Sequence, residues 1–426
     1  MRKFLKNEGL RDRGSRQNYE PIPGTSDGLV REKHNSQTKN SGLLYPKISR
    51  GPRMEANEFM RYLSHLQNVG LLLGLCSVAS AQFVITEYSA GLSAGSQPNE
   101  IALGPDGALW FTELAGNRIG RITTAGVITE YSAGLTLAYG LQGIAAGPDG
   151  ALWFTQYADQ IGRITTGGVI TEYSAGLTAG GVPISIALGP DGALWFTEYS
   201  GNRIGRITTA GVITEYSTGL TAASSPYGIA LGPDGALWFT EQFGNRIGRI
   251  TTAGVITEYS TGLMAASQPF GIAAGPDGAL WFVEQTGNRI GRITTAGVIT
   301  EYSAGLTSGS YWIAAGPDGA LWFTEVLGRI GRITTAGVIT EYSAGLTVNG
   351  GPYGGIAAGP DGALWFTEFD GNRIGRITAP ITQPTPQSVP ALSEWGVLLL
   401  AALLATAGVV ECHRRTRRTG PSSPVR

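Results

Sequence analysis

With 426 residues and a formal net charge of −1 the chain looks balanced, but its charges are unevenly placed. Residues 82–380 carry 13 arginines, no lysine and 23 aspartates plus glutamates, whereas residues 1–81 carry 13 basic and 7 acidic groups and the residues after 380 carry 5 and 2. A central region of −10 without a lysine excludes nucleic acid as its partner, since phosphate binding needs a surplus of cations, and the only cysteines, Cys76 and Cys412, lie outside it, which excludes a disulfide framework there.

Residues 1–59 are polar, charged and without period, the composition of a disordered extension or of sequence upstream of the true start. Residues 60–81 read as a secretory signal: Arg61 is its positive end, Val69 to Val78 its apolar run, and Ala79-Ser80-Ala81 its small-residue cleavage site. Cleavage is expected before Gln82, with translation starting at Met54 or Met60. Leu75 before Cys76 does not fit the small residue expected ahead of a lipoprotein cysteine.

From residue 82 to 380 one unit recurs. GPDGALWF occurs seven times, with its tryptophans at Trp110, Trp153, Trp195, Trp238, Trp281, Trp322 and Trp365, spaced 41–43 residues apart. Each copy holds four short apolar runs, in the fourth copy YGIALGP, ALWFTE, RIGRIT and VITEYS, parted by Pro-Asp-Gly, Gly-Asn and Ala-Gly turns. Short strands at this period predict an all-β fold, a seven-bladed β-propeller with four antiparallel strands per blade. The array opens with an unpartnered VITEYS at Val84 and ends on RIGRIT at Arg373 without its fourth run. The N-terminal strand is therefore expected to complete the last blade and close the ring.

Within the unit, the tryptophans alternate with Leu and Phe and read as core, and the GPDG aspartates read as turn formers, each turn supplying too few carboxylates for calcium. The second copy alone has Gln156 for the WFTE glutamate and Gln160 for the first arginine of RIGRIT. That joint change predicts a pair in the other copies, Glu113 with Arg118 and Glu241 with Arg246. Chain direction puts the GPDG and TTAG turns on one face of the disc and the remaining loops on the other, and only the second set diverges between copies. The divergent face carries Tyr139, Tyr199, Tyr227, Phe243, Phe270, Tyr311, Trp312, Tyr353 and Phe369, a surface suited to a glycan, peptide or protein ligand, with packing of some of them into the blade tops as the plain alternative.

Residues 381–390 form a Pro/Gln/Thr linker, and 391–426 hold an apolar run from Trp395 to Val410 followed by Arg414, Arg415, Arg417 and Arg418. The arginines place the end of the chain in the cytoplasm and the propeller outside. Val389-Pro390-Ala391-Leu392-Ser393-Glu394-Trp395-Gly396 ahead of that run resembles the IPTL-CTERM sorting signals of Gram-negative bacteria, which implies handover at the cell surface. A plain membrane anchor is the other reading.

The whole unit, PYGIALGPDGALWFTEQFGNRIGRITTAGVITEYS, resembles the streptogramin lyase, or virginiamycin B lyase, family over residues 82–380. The resemblance implies a bacterial enzyme that linearises cyclic depsipeptides by elimination across the ester bond, using a histidine base beside Mg²⁺. The histidines it implies follow a proline on the innermost strand, where this chain has Asn99, Gln142, Ile184, Tyr227, Phe270, Tyr311 and Tyr353. The chain's three histidines, His34, His65 and His413, all lie outside the repeats. Of the implied metal ligands, the carboxylate two residues before a histidine is replaced by Ser225, Gln268, Gly309 or Gly351. The WFTE glutamates remain, which leaves Glu284, Glu325 and Glu368 as weak metal candidates. The expected reading is an exported binding or scaffold propeller without catalytic residues and without a cofactor. The alternative is a carbon–oxygen lyase of the family type with Mg²⁺, or other chemistry using the glutamates and tyrosines.

Overall fold

The computed structural model describes residues 83–136, 140–348 and 350–378. The extension, signal, linker and C-terminal apolar segment, together with Tyr139, lie outside the described residues. Each repeat forms one four-stranded antiparallel sheet. In the first blade the strands run outward from Pro98–Leu103 through Leu109–Glu113 and Arg118–Ile122 to Ile128–Tyr131. The seventh blade, Ile356–Ala358, Leu364–Glu368 and Arg373–Thr378, takes its outermost strand, Val84–Tyr88, from the start of the array, with Val84 opposite Thr378 and Tyr88 opposite Ile374. The end segments thus close the ring as the sequence predicts. Innermost strands of neighbouring blades lie side by side all round, the first against the last included, and wall a central channel.

The core lies between blades. Trp110 and Phe111 on the second strand are fully buried, as are their counterparts around the ring. Trp110 stacks on Tyr131 of the outermost strand at 5.4 Å between centroids, with the Arg121 guanidinium 5.8 Å from the indole ring. At ~25 cal/mol per Å² and ~200 Å² of ring, each such tryptophan contributes about 5 kcal/mol of gross burial. The middle glycine of RIGRIT is required because a Cβ on Gly120 would come within 2.1 Å of the Phe111 ring. The GPDG aspartate does more than shape its turn: Asp106 accepts from the Trp110 indole N–H (3.0 Å) and from Arg121 Nε (2.7 Å). One buried donor and one guanidinium are thereby satisfied by a single carboxylate in every blade.

Two contacts fasten blade to blade. The Thr112 hydroxyl donates to the Gln142 carbonyl of the next innermost strand (2.6 Å) and accepts from Glu100 N–H (3.1 Å). The outermost glutamate catches the incoming connection: Glu130 accepts from the Ser93 backbone N–H (2.5 Å) and hydroxyl (2.6 Å). Glu87 receives Thr347 in the same way and locks the seam of the ring. The GPDG and TTAG turns lie together at what we term the turn face, and the blade connections and second-to-third-strand loops at the loop face.

Candidate functional site

At the innermost-strand position where the family's histidines are expected, the loop-face ends carry Asn99, Gln142, Ile184, Tyr227, Phe270 and Tyr311 in the first six blades. In the seventh, one extra glycine puts Gly354 there, its carbonyl accepting from the Thr324 hydroxyl as the Phe270 carbonyl does from Thr240, and Tyr353, expected at this position, lies one residue earlier, outside the strand. In the first six blades this end is bulged, as between Pro98 and Ile101, which lets these side chains leave the strict inside–outside alternation. Their chemistry divides the channel mouth. Blades three to seven hold a connected aromatic arc: Tyr227 meets Phe270 at 3.7 Å between centroids, Phe270 meets Tyr311 edge-on at 5.2 Å, Tyr311 meets Tyr353 at 5.6 Å and Tyr353 meets Phe369 at 5.8 Å. Tyr199 links Tyr227 to Phe243, and Trp312 lies 6.1 Å from both Tyr227 and Phe270. Tyr227, Phe270 and Phe369 are buried in this arc, Tyr199, Tyr311, Trp312 and Tyr353 are half-buried, and Phe243 is 60 % exposed. The first two blades are polar instead. Asn99 donates to Gln142 at 3.3 Å, and the Gln142 Nε2 has no protein partner.

Two groups at this mouth escape a reading of the aromatic pattern alone. Glu100 occupies a position that is Gly143, Ser185, Gly228, Gly271 and Trp312 in the next five blades. A Cβ at Gly228 would sit 2.5 Å from the Phe270 carbonyl oxygen, so a side chain here needs displaced surroundings. The Glu100 carboxylate reaches to the second blade and accepts from Ile144 N–H (2.9 Å). Burial pushes its carboxyl up to about 8 against the lowering effect of that donor. Tyr157, 40 % exposed in the loop of the second blade, is the other. Burial first, then the proximity of Tyr157, Glu100, Tyr199 and Tyr311, raises the Tyr227 phenol well above its usual value, so these five groups share one electrostatic environment. The departure of Glu100 from the glycine and serine of most copies is the signal that locates it in the sequence.

The WFTE glutamates lie just outside this mouth and are fully buried. Glu113 stands directly opposite Arg118 across the strand pair, as expected, but the guanidinium turns to the outermost Glu130 at 3.5 Å. Arg246 likewise approaches Glu258 at 3.6 Å and Arg289 approaches Glu301 at 3.5 Å. Direct pairs with the WFTE glutamate form in two blades, Arg203–Glu198 at 2.8 Å and Arg373–Glu368 at 3.7 Å. The predicted pair is thus a triad in which two carboxyl groups share one arginine. Burial, then the adjacent Glu258 carboxylate, pushes the Glu241 carboxyl up to about 8, and Glu113, Glu284 and Glu368 behave alike. The second blade displays the logic, because Gln156 Nε2 donates to Glu172 at 2.9 Å and not to Gln160. Glutamine there is neutral by nature, in the position where burial and a second carboxylate raise the glutamate of the other blades.

The chain matches the virginiamycin B lyase family over residues 77–265 and 261–383. It belongs to that family. An IPTL-CTERM motif matches residues 387–418. Among solved structures, a catalytically inactive histidine-to-alanine variant of virginiamycin B lyase from Staphylococcus aureus with quinupristin is 41 % identical, covers 70 % of this chain and 99 % of its own, and superposes with a TM-score of 0.64. A streptogramin B lyase structure is 39 % identical, covering 70 % of this chain and 98 % of its own, at a TM-score of 0.64. Hydrazine synthase from Kuenenia stuttgartiensis, at 16 % identity and a TM-score of 0.56, shares the fold alone, over 68 % of this chain and 97 % of its own. A search of the curated proteins returns no match.

The donor set does not fit the Mg²⁺ that the family implies. Glu284, Glu325 and Glu368 are sealed from solvent beside a second glutamate and an arginine, and Glu325 also accepts from the Ser308 hydroxyl at 2.9 Å. Among the described residues no three metal-ligating side chains come together.

Proposed function

We propose that this exported member of the virginiamycin B lyase family is a binding or scaffold module whose loop face takes a glycan, peptide or protein ligand, and that it does not linearise depsipeptides. The observation that carries the reading is the set of seven innermost-strand ends, none of them histidine, in a propeller whose arrangement is otherwise that of the family. A general base has to reach the proton it removes, and the aromatic arc supplies flat apolar surface with a polar rim at Asn99 and Gln142 instead. The IPTL-CTERM motif supports display at the cell surface, with the membrane engaged through the C-terminal segment.

Incubation of the purified protein with a type B streptogramin and Mg²⁺, followed by mass spectrometry, tests the catalytic half of this reading. Intact substrate is the expected result. Linear product that vanishes with EDTA would overturn it, and its further loss in Glu100→Gln would make Glu100, raised to about 8, the base. The binding half is tested on an array of glycans and peptides, where Tyr353→Ala and Phe243→Ala are expected to lose any ligand that the unaltered protein retains.

A further inference from the structure

The turn face differs from the rest of the disc in three independent ways. Its charges are all matched: each GPDG aspartate meets the second arginine of RIGRIT at 2.6–2.7 Å, once per blade. Seven aspartates and seven arginines are thereby neutralised, which leaves sixteen carboxylates and six arginines of the propeller toward the loop face. The formal excess of carboxylates thus lies toward the loop face, reduced near neutral pH by the raised carboxyls of Glu100 and the WFTE glutamates but not abolished. The turn face also presents one valine per blade, Val127 and its six counterparts, 58–65 % exposed. All but Val84, which has no such turn before it, are held by their turn. Val127 N–H donates to the Thr123 hydroxyl (3.2 Å), Thr123 N–H donates to the Val127 carbonyl (3.0 Å), and Gly126 sits at φ +85°, a conformation natural to glycine. Finally, Thr378 ends its strand at this face, opposite Val84. The sorting motif begins at residue 387, nine residues on, a reach of at most ~30 Å.

We propose that the turn face docks on the phospholipid surface to which the C-terminal segment tethers the chain, with the valine ring as its contact and the loop face directed outward. The tether brings this face within reach of the bilayer, and its neutrality removes the repulsion that the acidic loop face meets at an anionic membrane. The inference rests on membrane tethering through the C-terminal segment and is independent of what the loop face binds.

The test uses the full chain, with Cys76 and Cys412 replaced by serine, reconstituted into phosphatidylcholine–phosphatidylglycerol vesicles that contain a shallow nitroxide-labelled lipid. An environment-sensitive fluorophore is placed on Val255→Cys at the turn face or on Phe243→Cys at the loop face. The Val255 probe is expected to shift to the blue and lose most of its emission to the nitroxide, and the Phe243 probe to keep its emission. Equal quenching of the two, or quenching of Phe243 alone, overturns the orientation. Serine at the other six valines is expected to release the Val255 probe; unchanged quenching would mean that the tether alone sets the distance and would overturn the role of the ring. Two discs packed face to face would leave both probes unquenched and double the mass in detergent, which also overturns it.

Discussion

At the turn face of the fourth blade, Asp234 meets Arg249 at 2.7 Å and takes the Trp238 indole N–H on its other oxygen, while at the loop face of the same blade Glu241 and Glu258 share Arg246. The residue types are the same and the titration is opposite. Burial alone would raise the Asp234 carboxyl, but the Trp238 and Arg249 donors outweigh it and hold it below the usual value. Burial pushes Glu241 the other way, and the like charge of Glu258 adds to it. One carboxylate per cation stays ionised, whereas two per cation keep a proton.

The largest expected effect follows from that contrast. The stability contributed by the six WFTE glutamates is complete below the ordinary carboxyl value of 4.5 and is lost as pH rises through about 7 to 8. The turn-face aspartates act in reverse: their contribution is present above 3.8 and is lost as pH falls through their lowered values. Thermal melts across pH should therefore show a maximum on the acid side of neutrality and an alkaline limb that Glu241→Gln flattens without altering the acid limb. An alkaline limb untouched by that substitution would refute the proton on Glu241.

Breaking the turn face in one blade comes next. Asp234→Ala removes the acceptor of a buried indole N–H and the partner of Arg249, and should cost about 2–3 kcal/mol in urea unfolding, with Asp234→Asn costing less because its carbonyl still accepts. A smaller loss, about 1–2 kcal/mol at neutral pH, is expected for Gln156→Glu, which sets a second carboxyl beside Glu172 with no arginine opposite. Gln160→Arg in the same chain should recover most of it; additive losses in the double-mutant cycle would separate the two positions. The smallest effect is a gain. Val283 replaces the threonine that staples other blades, so Val283→Thr should supply a hydroxyl between Gly271 N–H and the Tyr311 carbonyl and raise stability by about 1 kcal/mol, read as a higher melting temperature.

Much of this molecule is legible in a line of letters because the repeat tests itself. Seven copies of one strand pattern expose the turns, the buried tryptophans and the missing fourth run that Val84 to Tyr88 supplies. A departure in one copy is informative for the same reason: Gln156 and Gln160 identify a linked set even though they do not bond to each other. The aromatic residues of the loop face are equally visible as a class. Their division into buried Tyr227, Phe270 and Phe369 and exposed Phe243 is not, since it depends on which neighbouring ring fills the channel mouth.

The sequence by itself determined the blade count, the strand order, the closure and the absence of histidine from the repeats, because each follows from period and composition. Only the tertiary structure decided that the RIGRIT arginine turns to the outermost glutamate, that Glu100 leans onto the second blade, and that the turn face balances its charges one to one and leaves the excess carboxylates to the other face. Periodicity specifies which way a side chain leaves its strand. Its partner is settled by distances between residues from different strands and blades, and those exist only once the ring has closed.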